Sequence, residues 1–121
     1  MIKKTAYDAV QPYVTLDGSL IRELMHPRVH GNHAQSLAEA TVAVGAITRR
    51  HRHERTEELY HFTDGEGLMT LGDNVFAVKR GDTVCIHPGT PHCVRNTGHA
   101  PLKILCCSTP PYADSDTELL D

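Results

Sequence analysis

Apolar and polar residues alternate along most of this chain in short runs rich in Val, Ile, Thr and Leu. Gly, Pro, Asp and Asn break the runs at intervals of roughly ten residues, and helical periodicity is scarce, which is the pattern of an all-β chain. The alternation predicts strands over 13–16, 19–25, 36–44, 46–53, 58–63, 67–71, 74–79, 83–86, 92–96 and 102–108. Asp17-Gly18 and Gly72-Asp73-Asn74 carry hairpin chemistry, and Arg80-Gly81-Asp82 is another turn. Pro110-Pro111 cannot continue a central strand, so the sheet is expected to end there. Residues 26–35, with His26, His30 and His33, read as a polar loop, and the acidic tail 113–121 as one short helical turn or a surface drape. Many short strands without covering helices must close on themselves or stack as two sheets. The expected architecture is an all-β barrel or jelly roll, a single domain over residues 1–121.

Composition narrows the partners. An apolar fraction of 40% in 121 residues is enough for a real core. A net charge of −3 without long runs gives no footprint for nucleic acid or an anionic membrane. No stretch approaches the roughly 20 apolar residues of a membrane span, and no apolar region follows the lysines of residues 1–8, so a cytoplasmic protein is expected. Cys85, Cys93, Cys106 and Cys107 form no Cys-x-x-Cys pair and read as reduced, mostly buried small hydrophobes.

Nine histidines are the unusual feature of the composition, and two segments give some of them chemistry. On a strand, His51 and His53 project to the same face, with Cα atoms roughly 6–7 Å apart. Two imidazoles so placed can converge on one ion at about 2.0–2.1 Å. Residues 54–57 read as a turn, after which Glu58 opens a returning strand that could face the same space. In the second segment, Pro88, Gly89 and Pro91 constrain a turn from which His92 opens the next strand in one fixed direction, as a metal ligand requires. Burying four such groups without an ion would leave hydrogen-bonding demands unmet, at about 1–3 kcal/mol each.

The spacing of Gly45, His51, His53, Glu58 and Gly65, followed by that of Gly81, Gly89, His92 and Asn96, resembles the two motifs of the cupin superfamily. Glu57 could fill the shorter of the two allowed spacings, but only Glu58 leaves six residues before Gly65. His87 departs from the pattern, standing where the family usually has proline, with Pro88 one position later. The resemblance implies a small cupin double-stranded β-helix (jelly-roll) barrel holding one divalent metal ion with His51, His53, Glu58 and His92. The ion could be Fe, Mn, Ni, Zn, Co or Cu, with positions open to a small-molecule substrate, and the assembly expected is a homodimer.

Other residues follow from strand parity. Tyr60 and Phe62 share the parity of Glu58; Phe62 reads as core, while the Tyr60 hydroxyl is a candidate for substrate binding or catalysis. Arg49 shares the parity of His51 and His53 and is a candidate for a substrate carboxylate or phosphate, a surface arginine being the simpler account. Asn96, before Thr97-Gly98, reads as a turn residue. His87 is a candidate acid or base at the cavity mouth, whereas His26, His30, His33, His61 and His99 read as surface histidines. The expected function is a metal-dependent enzyme acting on a small polar molecule, with dioxygenase-type and sugar isomerase- or lyase-type chemistry equally open. The alternative is a binding or sensing module in which the metal anchors a ligand.

Overall fold

Burial alternates residue by residue along the longest strands. In β5 (Glu57–Asp64) Glu58, Tyr60 and Phe62 face inward, and in β10 (Leu102–Thr109) Leu102, Ile104, Cys106 and Ser108 do. The structure is a computed structural model that describes residues 2–121. The other strands are β1 (Tyr13–Val14), β2 (Leu20–Met25), β3 (Ser36–Val42), β4 (His51–His53), β6 (Glu66–Leu71), β7 (Asn74–Lys79), β8 (Thr83–Ile86), β9 (His92–Asn96) and β11 (Thr117–Leu119). They form two antiparallel sheets, ordered β1-β2-β3-β10-β5-β8 and β11-β4-β9-β6-β7, with the apolar faces turned together. This is the double-stranded β-helix that the motif spacing implied. Gly65, at φ +83°, makes the sharp passage from β5 in one sheet to β6 in the other.

Cross-strand register explains why one end of this sandwich is solid and the other hollow. The row Ala40–Ile104–Phe62 lies over Met69 and Val94, all nearly sealed from solvent. The next row is Ala38–Cys106–Tyr60, and the one beyond it Ser36–Ser108–Glu58. Side chains on β3 thus stay small while those on β5 become polar. Small residues opposite polar ones leave space that water or a ligand can use.

Several expectations are corrected. The predicted strand over 46–53 is only β4, plus a single bridge from Ile47 to Arg95. Thr48 still pairs with Val94, but the next amide, Arg49 N–H, donates to Asp17 O in the β1–β2 turn and draws the chain off β9. The polar loop contains one helical turn, α1 (Pro27–His30): His26 caps it by accepting from Arg28 N–H at 3.1 Å, Pro27 starts it, and Gly31 at φ +80° ends it. His26 is consequently buried, its Nε2 2.7 Å from Tyr112 O, and is no surface histidine.

Only Cys106 among the four cysteines is buried; Cys85 and Cys107 face outward by parity, and none forms a disulfide. After Pro110-Pro111 the first sheet does end, but the tail makes a 3-10 turn at Asp114–Asp116 and then β11, which pairs with β4. The buried Asp116 carboxylate anchors it by accepting from Arg55 N–H and Thr56 N–H at 3.0 and 3.1 Å. No helix among the described residues is long and apolar enough to cross a membrane.

Candidate metal centre

His51 and His53 enter the hollow end from β4, His92 from β9 and Glu58 from β5, and all four are buried. The three imidazoles each offer a ligand atom, and these atoms lie within 4.8 Å of one another. Their other nitrogens are already engaged. His51 Nδ1 lies 2.8 Å from Arg49 O and His92 Nδ1 2.9 Å from Thr90 O, and a carbonyl can only accept, so each Nδ1 carries the proton. His53 Nδ1 lies 3.0 Å from Thr117 Oγ1, whose own proton goes to Ala113 O at 2.9 Å. In all three rings Nδ1 is therefore the donor, and Nε2 is turned inward.

Glu58 completes the set. Its Oε1 lies 3.2 Å from His53 Nε2 and 3.7 Å from His92 Nε2, while Oε2 accepts from Ser108 Oγ at 3.2 Å. Burial pushes the Glu58 carboxyl up, but the close approach of His53 and the positive charge that the three histidines can take up outweigh it and hold it down. Burial, and then the neighbouring His51, lower His92 to about 4, keeping its ring neutral. His53 Nδ1 donates to Thr117, and its Nε2 faces Glu58 Oε1 across that gap. Glu58 Oε1 and His92 Nε2 are both buried without a hydrogen-bond partner. Buried acceptors aimed at one space are satisfied by a cation, and three imidazoles with one carboxylate suit a borderline divalent ion. The residues present therefore fit a metal.

His92 also makes the metal-free protein acid-sensitive. The unfolded chain takes up this proton near pH 6.5 and the folded chain only near pH 4. Stability is therefore full above about pH 6.5 and falls as pH drops toward 4, by roughly 3 kcal/mol from this group. Glu58, also held low, acts in the same direction, its contribution being lost as pH falls through its folded pKa. Urea unfolding of metal-stripped protein should show a lower midpoint at pH 5 than at pH 7.5. Equal midpoints would contradict the neutral, buried His92.

The cavity has a volume of about 40 Å³, room for a few water-sized groups. Tyr60 lines it, and burial followed by the nearby Glu58 raises its phenol well above the usual range, leaving a hydroxyl that can donate. Phe62 lies in the core. Arg49 does not line the cavity: it is half-exposed and its Nε pairs with Asp121 Oδ1 at 3.2 Å. The parity argument fails there because residue 49 precedes β4, where the chain has turned toward Asp17. His87 is not in the cavity either, since Ile86 faces inward and His87 follows it outward. Glu57 is exposed. Asn96 is a buried turn residue, donating to Val42 O and Ala100 O and accepting from Gly98 N–H.

Sequence reasoning missed Asp17, Glu23, Tyr112 and Thr117, which also line the cavity. Asp17 Oδ2 lies 3.9 Å from His51 Nε2 while Oδ1 accepts from Ser19. The Asp17-Gly18 dipeptide signals a turn locally, and nothing local says that the turn leans over the histidines.

Residues 38–108 match the family model for the cupin domain. The chain belongs to the cupin family. An uncharacterized protein of Methanocaldococcus jannaschii is 55% identical over 120 residues, spanning 99% of this cupin and 96% of that protein. An oxalate-binding protein of Thermotoga maritima is 30% identical over 86 residues, 71% of this chain and 67% of that one. Among solved structures, the Streptomyces nucleoside dehydratase Pac13 superposes with a TM-score of 0.81 at 12% identity, covering 99% of this cupin and 92% of that chain. At that identity the likeness is one of fold.

Proposed function

We propose that this cupin holds one divalent ion with His51, His53, Glu58 and His92 and uses it to act on a small, uncharged polar molecule by proton-transfer chemistry of the isomerase or lyase type. The observation that carries the reading is the charge of the cavity wall: Asp17, Glu23 and Glu58 line it, and no lysine or arginine does. The two charges of a divalent ion thus meet three carboxylates. A dianionic ligand would face repulsion of a few kcal/mol from each close carboxylate, whereas hydroxyl groups would find acceptors. When bound, the ion supplies Lewis acidity toward a carbonyl or hydroxyl oxygen. The chain's own part is local. Tyr60 keeps its proton and donates to a ligand oxygen, Asp17 beside His51 accepts a ligand proton, and Ala38 and Ala40 leave room for the carbon skeleton.

A nucleoside dehydratase is among the solved proteins that share the fold. The second reading is a binding module, favoured by the 30% identical relative named for binding oxalate. Elemental analysis of untagged protein followed by a screen of sugars, nucleosides and oxalate, in air and under nitrogen, separates them. Stoichiometric metal with turnover of a neutral substrate under nitrogen is expected. Tight retention of oxalate without turnover would establish the binding module, and activity that requires oxygen would establish a dioxygenase.

A further inference from the structure

A second cluster of metal-ligating side chains lies on the outer face of the β5–β8 pair, away from the cavity. Register places Leu59 opposite Cys85 and Glu58 opposite Ile86. One residue further, Glu57 and His87 meet on the outer side, the His87 Nδ1 3.9 Å from Glu57 Oε2. Cys85 and His87, two apart, share that outer side. Each of Glu57, Cys85 and His87 offers one ligand atom, and the three atoms lie within 4.8 Å of one another. Ligands about 2.1 Å from an ion in tetrahedral directions sit roughly 3.4 Å apart, so small rotations of three exposed side chains close the set. His87 is the residue that departs from the motif proline, and the cavity does not use it.

We propose that Glu57, Cys85 and His87 form a surface site for a zinc-class divalent ion, independent of the cavity site. A carboxylate, a thiolate and a neutral imidazole cancel the two charges of such an ion, and the sulfur ligand selects zinc-like metals over manganese or magnesium. Cys85 and His87 are both exposed, which leaves the fourth position open to water.

The full chain, stripped of metal and kept under a metal-free reductant, is titrated with Co²⁺. A near-ultraviolet thiolate-to-cobalt charge-transfer band is expected. Cys85→Ser abolishes it and His87→Ala weakens the underlying affinity by at least about tenfold, the scale on which even an orienting partner of a ligand acts. His92→Ala, which disables the cavity set, leaves the band in place, so the two sites fail separately. No band in the unaltered protein overturns the proposal. So does a band that survives Cys85→Ser, which would assign it to another cysteine, or an affinity unchanged in His87→Ala.

Discussion

Glu58→Ala is expected to leave the protein folded and to strip the cavity of its metal. The substitution removes the only anion among the four proposed ligands, and with it the oxygen that faces both His53 and His92. Loss of a charged ligand from a buried set should cost at least about a hundredfold in metal affinity, since even outer partners of such ligands are worth 10- to 100-fold. The structural cost is confined to one hydrogen bond. Glu58 Oε1 has no partner within the protein, and Oε2 gives up one hydrogen bond from Ser108, worth about 1–3 kcal/mol. Elemental analysis after dialysis against a chelator, beside urea unfolding of the stripped protein, reads both effects. Glu57→Ala, an exposed neighbour on the same strand, should keep the cavity ion. Full retention of the cavity ion in Glu58→Ala would falsify the ligand assignment.

Phe62→Ala should be the most damaging substitution in the core. Its ring is fully buried in the row Ala40–Ile104–Phe62 and meets Tyr60 edge-on at 6.2 Å between centroids. β5 is hydrogen-bonded to β10 on one side and β8 on the other, so the backbone cannot collapse into the space vacated. Such truncations cost about 3–5 kcal/mol. In a domain of this size that lowers Tm by roughly 10–25 °C. Thermal unfolding followed by circular dichroism measures it, and a fall of under about 3 °C would show that the hollow end relaxes to fill the void.

The candidate ligands were legible because the information they need is local. Strand parity places His51 beside His53 and Glu58 on the side of Tyr60 and Phe62, and the turn before His92 is set by its own prolines and glycine. The same logic recovered the β6–β7 hairpin from Gly72-Asp73, with Leu71 opposite Asn74. It failed where a residue's conformation is decided by a distant partner. Arg49 follows Asp17 O and ends up outside the cavity, and His26 is buried by Tyr112 O, 86 positions away. The acidic tail gave no strand pattern, because β11 exists through its pairing with β4 and through the Asp116 carboxylate. Asp17 and Thr117 belong to the cavity for reasons that no window of neighbouring residues contains.

That dependence on β11 has a consequence for how the protein is made. His53 leaves the ribosome 64 residues ahead of Thr117, the hydroxyl that takes its Nδ1 proton. A nascent chain that has already exposed His51, His53, Glu58 and His92 still lacks the group that turns one imidazole in the right direction. The proposed ion site is therefore complete only once β11 has paired with β4, after the last residues of the chain have been made.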